Sequence, residues 1–360
     1  MKIFIDEVKS MALKVFNGGR PLADTSMFDN AGIELTEELV TATTTREHYI
    51  ELLRDMDGAL IGTLPLTDSD VLEACPKIKV LSRMGVGVDS IDLDAATRLG
   101  ILACNTPGVN TSEVADHAMA QLLALTRLIR EFDTAVKAGK WSTARQFIPI
   151  PKRIAGSTVG IVGFGNIGKG FASRIRGFGP FRVIAYDPYV DQTTADLHGV
   201  ELVDLDELLR SSDFITIHAP ATDETHHMFS YDQFKSMKDS AILINCARGP
   251  LVDPEALYDA LTAGQISAAG LDVTEQEPID SEDPLLTLDN LIVTPHVAAS
   301  SELFIAESSR KQAENVSRVL TGQAPHGLAN PEVIKTIARM RGGDPGRWEG
   351  IPDYSTALAL

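Results

Sequence analysis

The sequence feature that most constrains the fold is a glycine-rich stretch that begins at Val159 and reads VGIVGFGNIGKGFASR. Its glycines Gly163, Gly165 and Gly168 follow a short apolar run and precede a helical pattern. A strand that turns through glycines into a helix is typical of dinucleotide-binding units, because free N–H groups at the helix N-terminus can hold phosphates. The same glycines also suit an ordinary tight turn, so the surrounding sequence has to distinguish the two.

Strand-like and helix-like segments alternate along both halves of the chain. The first series of strand candidates is KIFID (2–6), DGALIGT (57–63), IKVLSRMG (78–85) and ILACN (101–105). The second series is VGIVG (159–163), RVIAYD (182–187), FITIHA (214–219), AILINCA (241–247), AAGLDV (268–273) and LIVTPH (291–296). Helical patterns lie between them, and the longest runs from Ser112 to Lys140. Repeated βα units predict an α/β fold of parallel sheets covered by helices.

Charge and cysteine content argue against several classes of function. The chain has 360 residues and a formal net charge of −18 at pH 7, so we expect no surface for nucleic acid or for an anionic membrane. Its three cysteines show neither metal-ligand spacing nor a disulfide framework. No apolar run predicts a signal peptide or a membrane-spanning helix. We therefore expect a cytoplasmic protein.

An acidic residue stands where a dinucleotide-binding unit needs one. Asp187 ends the strand candidate RVIAYD and lies 19 residues after Gly168. A carboxylate at this position accepts hydrogen bonds from the adenosine ribose hydroxyls. It would repel the 2′-phosphate of NADP, and no arginine follows within DPYVDQ. The sequence therefore predicts NAD rather than NADP as the cofactor.

Further polar side chains follow predicted strands in the second half of the chain. Arg248 lies in INCARGPLVD, Asp272 and Glu277 lie in GLDVTEQEP, and His296 lies in VTPHVAAS. Open parallel sheets bind ligands at the carboxyl ends of their strands, so these side chains are expected to converge at one sheet edge. An arginine, a carboxylate and an imidazole together suit the binding of an acid and the transfer of a proton.

Taken together, these segments resemble the D-isomer-specific 2-hydroxyacid dehydrogenase family. The resemblance runs from about the first residues to about residue 330 and rests on GFGNIG, YDPY, HAP, ARGPLVD, LDVTEQEP and TPH, in that order. It implies a two-lobed α/β protein in which a Rossmann NAD-binding domain is inserted into a flavodoxin-like substrate domain. It also implies an active site in the cleft and a homodimer built on the NAD-binding domains.

The resemblance implies a set of catalytic residues. Arg248 resembles the arginine that binds the substrate carboxylate and carbonyl, a role that suits a planar guanidinium. His296 resembles the acid–base group that protonates the keto oxygen as hydride arrives, or removes the hydroxyl proton in reverse. Glu277 resembles the acid that orients His296 and stabilises its protonated form.

The resemblance also implies contacts to cofactor and substrate. Asp272 resembles the residue that holds the nicotinamide carboxamide, and Val86 and Gly87 match the loop whose N–H groups hold the substrate carboxylate. The expected cofactor-binding residues are Gly163, Gly165, Asn166, Ile167, Gly168, Asp187, His218, Ala219, Pro220, Cys246, Ala247, Arg248, Asp272 and His296. The expected substrate-binding residues are Arg83, Val86, Gly87 and Arg248.

Domain boundaries and a substrate class follow from the same resemblance. Residues 1–104 and 301–333 are expected to form the substrate domain, 105–300 the NAD-binding domain and 334–360 a C-terminal tail. The expected reaction interconverts a D-2-hydroxy acid and a 2-oxo acid. Arg83 and Arg145 favour a small polar or anionic acid such as hydroxypyruvate, glyoxylate or phosphohydroxypyruvate, although Arg83 could equally pair with a structural acid.

Several alternatives remain open at this stage. Formate dehydrogenases of this superfamily have glutamine where Glu277 stands, and phosphonate oxidation shares the core motifs. The C-terminal-binding-protein co-repressors resemble the same segments and act as NAD-gated interaction scaffolds. His226 and His227 are adjacent, but the sequence offers no third ligand, so we expect them to be solvated and expect no metal site. Cys246 is expected to be a small buried thiol.

Overall fold

The structure, a computed structural model, describes residues 12–147 and 151–353. The strand expected at 2–6 lies outside the described residues. The chain divides into two compact units. The first unit contains the residues up to Asn110 and those from Ser301 onward, and the second unit is Thr111–Ser300.

The elements of both units are numbered in chain order. The strands are β1 (Lys14–Asn17), β2 (Glu34–Glu37), β3 (Gly58–Ile61), β4 (Val80–Arg83), β5 (Leu102–Cys104), β6 (Thr158–Val162), β7 (Arg182–Tyr186), β8 (Glu201–Leu202), β9 (Phe214–Ile217), β10 (Ile242–Asn245), β11 (Ala268–Leu271) and β12 (Leu291–Val293). The helices are α1 (Ser26–Ala31), α2 (Arg46–Leu53), α3 (Ser69–Glu73), α4 (Leu93–Leu99), α5 (Thr111–Arg127), α6 (Ile129–Lys137), α7 (Trp141–Phe147), α8 (Asn166–Ile175), α9 (Gln192–Asp196), α10 (Leu205–Ser211), α11 (Tyr231–Ser236), α12 (Pro254–Thr262), α13 (Glu302–Leu320) and α14 (Val333–Arg341).

The first unit is built on a five-stranded parallel sheet in the order β2-β1-β3-β4-β5. This is the flavodoxin-like order that the resemblance implies. Successive strand residues face opposite sides of the sheet. Val80 therefore packs in the core shared with α13, whereas Leu81 packs in the core on the other face. Helices cover both faces, so β3, β4 and β5 are buried throughout, whereas the edge strand β2 is mostly exposed.

The second unit is built on a seven-stranded parallel sheet in the order β12-β11-β10-β9-β6-β7-β8. The chain starts at the central strand β6, moves outward through β7 and β8, and then returns to β9 on the other side of β6. This reversal creates a crevice outside the carboxyl ends of β6 and β9, where doubly wound sheets bind ligands. The predicted α/β class with a Rossmann unit is therefore confirmed.

Part of the acid excess has a local structural role. The side chains of five aspartates accept a backbone N–H in the first turn of α3, α4, α9, α10 or α12, namely Asp68, Asp92, Asp191, Asp204 and Asp253. Each such cap satisfies a donor that the helix leaves unpaired, and contributes about 1 kcal/mol. The acids that begin these helices therefore belong to the fold as well as to the surface charge.

The long helix expected over 112–140 is wrong, because the structure divides it into α5 and α6. Leu128 separates the two in a left-handed conformation with φ of 54°. Just before it, the Thr126 hydroxyl donates back to the carbonyl of Leu122 at 2.7 Å. Such back-bonding weakens the helix ladder and often bends it. The short strands β1, β2 and β8 were not predicted either, because strands of four residues or fewer carry little pattern.

Residues 333–353, which the sequence analysis assigned mostly to a tail, pack on the first unit. Trp348 is 1% exposed in the same apolar core as Ile337. Its indole N–H donates to the carbonyl of Gly100 at 2.8 Å. Among the described helices, none has the length and apolar character that crossing a membrane would need.

Candidate active site

The glycine turn after β6 needs two of its glycines for packing and leaves the third beside open space. Gly163 has φ of +89°, and a Cβ there would lie 2.5 Å from the backbone nitrogen of Ala219. A Cβ on Gly168 would lie 2.3 Å from the carbonyl oxygen of Gly163. A Cβ on Gly165 would meet no heavy atom within 4 Å. The turn is therefore packed from below and open at the N-terminus of α8.

Asp187 is held beside this turn. Its Oδ2 accepts a hydrogen bond from the Phe164 amide at 2.7 Å, and its Oδ1 accepts one from the Tyr189 amide at 2.9 Å. These bonds fix the carboxylate at the end of β7, next to the open side of the glycine turn. Each oxygen keeps acceptor capacity for a further donor, such as a ribose hydroxyl.

These residues fit a dinucleotide. The unobstructed backbone at Gly165 and the first turn of α8 offer N–H donors and a positive helix end to a pyrophosphate. Asn166 is exposed in that first turn, whereas Ile167 is half-buried and packs on the core below. A bulky side chain at Gly165 would occupy this space, so the fit depends on the glycine.

The turn after β9 places His218 against the glycine turn. Its Nε2 lies 3.0 Å from the Thr216 hydroxyl, while Nδ1 is buried without a hydrogen-bond partner. Burial lowers the pKa of His218 to about 3, so the ring is neutral at physiological pH. The next two residues differ from each other in exposure: Ala219 is half-buried beneath Gly163, and Pro220 is exposed.

We expect His218 to weaken the protein in acid. In the unfolded chain a histidine titrates near pH 6.5, whereas the folded ring resists protonation until about pH 3. Stability is therefore lost as pH falls from about 6.5 towards 3, by up to a few kcal/mol. His218→Asn should show a shallower fall in unfolding free energy over this range, measured by urea titration. An unchanged slope would contradict the assignment.

The turn after β10 carries Arg248 and is fixed by Asn245, which the sequence analysis missed. The Asn245 Oδ1 accepts from the Ala247 amide at 3.0 Å, and its Nδ2 donates to the Arg248 carbonyl at 2.8 Å. Arg248 is half-buried, and its Nη1 donates to the Ala247 carbonyl at 2.6 Å. Cys246 is buried 3.7 Å from Gln121 Oε1, and burial raises its thiol pKa. That thiol is not poised as a nucleophile.

His296 and Glu277 form a close pair. The Nδ1 of His296 lies 2.7 Å from Oε2 of Glu277, and each side chain is 34% exposed. Burial alone would raise the pKa of Glu277. The His296 bond, the Thr274 amide and the charge of Arg248 outweigh that effect and leave this pKa below its ordinary value. The carboxylate is therefore ionised, with an imidazole on one side and a guanidinium nearby.

Asp272 holds the loop that carries His296. It is 1% exposed, and its Oδ1 accepts from the Thr294 hydroxyl at 2.6 Å and from the Val297 amide at 3.0 Å. Its Oδ2 accepts from the Ala298 amide at 2.8 Å. His296 itself has φ of 52°, a left-handed conformation that is uncommon for residues with side chains. The carboxylate therefore stabilises the unusual turn in which the imidazole sits.

Two polar residues of α5 join this network and were also missed. The Nε2 of His117 lies 2.9 Å from the Thr294 hydroxyl and 3.4 Å from Asp272 Oδ1. The amide of Gln121 donates to the same hydroxyl at 3.0 Å. His117 and Gln121 are four residues apart and so share one helix face. Two polar residues at that spacing, beside the buried apolar positions of the helix, are the signal that could have identified them.

The expected substrate residues Val86 and Gly87 lie in a loop of the first unit that hydrogen bonds hold in place. The loop begins at Gly85, which has φ of +92° and whose amide donates to the Thr106 hydroxyl at 2.9 Å. Asn105 donates to the Val86 carbonyl at 2.6 Å. Within residues 12–147 and 151–353, the amides of Val86 and Gly87 donate to no protein acceptor.

The two arginines invoked for substrate charge have different environments. Arg83 ends β4 and is 6% exposed, with Nη2 3.5 Å from the Thr63 hydroxyl and Nη1 beneath Gly85. Arg145 is exposed on α7 in the second unit. Arg83 thus supports the loop from below, whereas Arg145 lies on the surface.

Comparison with known proteins identifies relatives along most of the chain. The family described as "D-isomer specific 2-hydroxyacid dehydrogenase, NAD binding domain" matches residues 119–298. A glyoxylate reductase of Korarchaeum cryptofilum is 42% identical over 287 residues, which cover 79% of this chain and 86% of the relative. A D-3-phosphoglycerate dehydrogenase of Methanocaldococcus jannaschii is 41% identical over 298 residues, but these cover only 56% of its length and 82% of this chain. The crystal structure of a Thermus thermophilus protein, TT0316, aligns with a TM-score of 0.79 at 31% identity, covering 88% of this chain and 100% of that one.

The second unit is a doubly wound sheet, and its glycine turn and Asp187 fit a dinucleotide. At the same sheet edge, His296 and Glu277 supply an acid–base pair. These features are those of a nicotinamide-dependent dehydrogenase. The chain belongs to the D-isomer specific 2-hydroxyacid dehydrogenase family, and NAD is its cofactor. Both named relatives are enzymes, which supports a dehydrogenase over an interaction scaffold.

Proposed function

We propose that the protein reduces a small 2-oxo acid to the D-2-hydroxy acid, or catalyses the reverse, with NAD. The observation that carries this proposal is the 2.7 Å contact between His296 Nδ1 and Glu277 Oε2, near Arg248. A carboxylate-backed imidazole supplies a proton, and a guanidinium binds an acid group. The reduction of a 2-oxo acid requires both a proton donor and a group that binds the acid, and this sheet edge carries both.

In the proposed mechanism His296 moves the proton. Its Nδ1 is engaged by Glu277, so Nε2 is the nitrogen that donates to the keto oxygen in reduction and accepts from the hydroxyl in oxidation. The ionised Glu277 stabilises the imidazolium and fixes the ring. NAD, when bound, supplies or accepts the hydride.

Arg248 is proposed to bind the carboxylate and carbonyl of the substrate. Asn245 fixes the backbone that carries it, so the planar guanidinium starts from a defined position. Such a group can bond two oxygens at once, which a lysine cannot do. We also propose that the amides of Val86 and Gly87 offer further donors to a carboxylate, and that the first unit is the substrate domain.

The proposed substrate is polar or anionic, as the names of the two relatives suggest. We would follow NADH oxidation with glyoxylate, hydroxypyruvate, phosphohydroxypyruvate, pyruvate and a branched-chain 2-oxo acid. Turnover should be fastest with one of the first three. A preference for the branched acid would overturn the substrate class. Turnover of formate or phosphite alone, with NAD, would overturn the reaction, and bound NADH without any turnover would favour a scaffold.

Asp187 is proposed to select NAD over NADP. Replacing it with serine removes the charge that repels a 2′-phosphate and the acceptor for the ribose hydroxyls. We expect Asp187→Ser to raise the KM for NADH by about tenfold, since a lost charged hydrogen bond is worth about 1.5–3 kcal/mol. The ratio of kcat/KM for NADH to kcat/KM for NADPH should fall, because the repulsive charge is gone. The control Asp239→Ser removes an exposed acid of the same unit and should change neither value. Unchanged NADH kinetics in Asp187→Ser would contradict the assignment.

The second unit is proposed to form a homodimer through α6 and α7. No residue of α6 is buried, and its apolar residues Ile129 and Val136 are 58% and 44% exposed. Trp141, at the start of α7, is 62% exposed. Exposed apolar side chains grouped on neighbouring helices are typical of an interface. We expect Val136→Glu combined with Trp141→Ser to shift the mass in light scattering from dimer to monomer. Leu197→Ser, at an 81% exposed position elsewhere in the unit, should not.

A cytoplasmic location is proposed from the cysteines. Cys75, Cys104 and Cys246 are all free and buried. Burial raises the pKa of Cys75 to about 11 and raises those of the other two as well. Cysteines that form no disulfide suit a reducing compartment.

A further inference from the structure

Two adjacent histidines and a glutamate meet at the surface of the second unit. His226 and His227 were expected to be solvated, because the sequence offered no third ligand. The structure brings Glu275 to them from a distant loop, and one ligand atom from each residue lies within 4.8 Å of the other two. The arrangement is separate from the His296–Glu277 pair, although Glu275 and Glu277 share a loop.

The distances within this group suit a tetrahedral metal ion. Oε1 of Glu275 lies 2.8 Å from Nε2 of His227 and 3.7 Å from Nε2 of His226. Zinc ligands lie about 2.0–2.2 Å from the ion, so tetrahedral neighbours are about 3.3 Å apart. The observed separations lie on either side of that value, and binding one ion would require the two imidazoles to rotate out of their stacked arrangement.

The backbone turns both imidazoles to the same side. Consecutive residues of a strand point to opposite faces, and those of a helix diverge. His227 instead adopts a left-handed conformation with φ of 50°, and its amide donates to the Pro250 carbonyl at 2.8 Å. The two rings consequently stack, with centroids 4.0 Å apart. Left-handed backbone at a residue with a side chain is costly and clusters at functional sites.

A second carboxylate lies behind the group. The Oδ2 of Asp253 is 3.9 Å from Nδ1 of His227, on the opposite side of the ring from Glu275. Metal-binding imidazoles commonly direct their other nitrogen to a carboxylate, which orients the ring and increases its basicity. The side chains of His226, His227 and Glu275 are 56%, 32% and 36% exposed, so an ion can enter from solvent and keep water as a fourth ligand.

We propose that His226, His227 and Glu275 bind one divalent transition-metal ion of the zinc class. Two imidazoles and a carboxylate are ligands that zinc takes, whereas magnesium prefers oxygen alone. A bound ion would tie the turn at His226 and His227 to the loop that continues to Glu277. The competing interpretation is a stacked histidine pair with a single hydrogen bond to Glu275, which needs no ion.

The test is zinc binding to the untagged full chain, measured by competition with a chromophoric chelator. The wild type should bind one zinc ion and no magnesium. His226→Ala and Glu275→Gln should each weaken zinc binding by about a hundredfold. Removing a carboxylate that only hydrogen-bonds a metal ligand costs about 10–100-fold in affinity, and removing a ligand itself should cost at least as much. Glu275→Gln keeps the shape and the hydrogen bond, so it separates a metal ligand from a structural contact. Zinc should also raise the thermal midpoint of the wild type but not of either variant.

His48 provides a matched control in the first unit. Its Nε2 lies 2.7 Å from Glu38 and its Nδ1 lies 3.6 Å from Glu51, so its two nitrogens face different carboxylates. His48→Ala should bind zinc as the wild type does. Wild-type affinity in Glu275→Gln would overturn the proposal, and so would loss of binding in His48→Ala. Neither readout depends on catalysis, so the result stands apart from the proposed function.

Discussion

Replacing His296 with alanine should reduce kcat for 2-oxo acid reduction by about 10²- to 10⁴-fold, the usual contribution of a general acid. The imidazole is the group whose free Nε2 can protonate the keto oxygen, because Nδ1 is held by Glu277 at 2.7 Å. The KM for NADH should change little, since the glycine turn and Asp187 lie at other strand ends. Steady-state kinetics and NADH fluorescence titration measure both quantities.

The control for this variant is His48→Ala, which removes an exposed imidazole from the other unit and should leave kcat unchanged. Glutamine at position 296 provides a second variant of similar size that cannot act as an acid. If His296→Ala or His296→Gln kept more than about a tenth of the wild-type kcat, another group would have to supply the proton.

The second large effect is expected at Asp272. Alanine there leaves the amides of Val297 and Ala298 and the hydroxyl of Thr294 without their acceptor. An unsatisfied buried donor costs about 1–3 kcal/mol. The Ala298 amide is buried and the other two donors are part-buried, so Asp272→Ala should lose about 2–4 kcal/mol of unfolding free energy. It should also lose most of its activity, because the turn carrying His296 is no longer held.

Urea unfolding and kcat measured on the same preparations test this expectation. Asp272→Asn keeps one acceptor oxygen and should fall between wild type and alanine in both measurements. Asp239→Ala, at an exposed aspartate of the same unit, should leave both unchanged. Wild-type stability in Asp272→Ala would show that the loop does not depend on this carboxylate.

The glycine turn after β6 could be predicted from sequence because its constraints are local. Gly163 and Gly168 are each required by close contacts, with the turn after β9 and with the glycine turn itself. The alternation of strands and helices also predicted the parallel sheets, since most of the buried strands are apolar runs of three to five residues. Leu128 escaped prediction because the break there depends on a single unusual dihedral.

The supporting network could not be predicted because its partners are distant in sequence. Asn245 is an exception, since its partners Ala247 and Arg248 lie only two and three residues away. Asp272, by contrast, accepts from Thr294, Val297 and Ala298, which lie 22 to 26 residues later in the chain. The same holds for Glu275, which reaches His227 across 48 residues. A side chain's type and local spacing predict its chemistry, whereas its partner depends on the tertiary fold.

The most direct test of the central claim is deuteride transfer. The protein would be given NADH deuterated at C4 of the nicotinamide, in each stereochemical position separately, together with glyoxylate or hydroxypyruvate. We expect one of the two labelled cofactors to place a single deuterium on C2 of the product, and the hydroxypyruvate product to be the D-isomer. Product without deuterium from either cofactor, or an L-product, would contradict hydride transfer by a D-specific 2-hydroxyacid dehydrogenase.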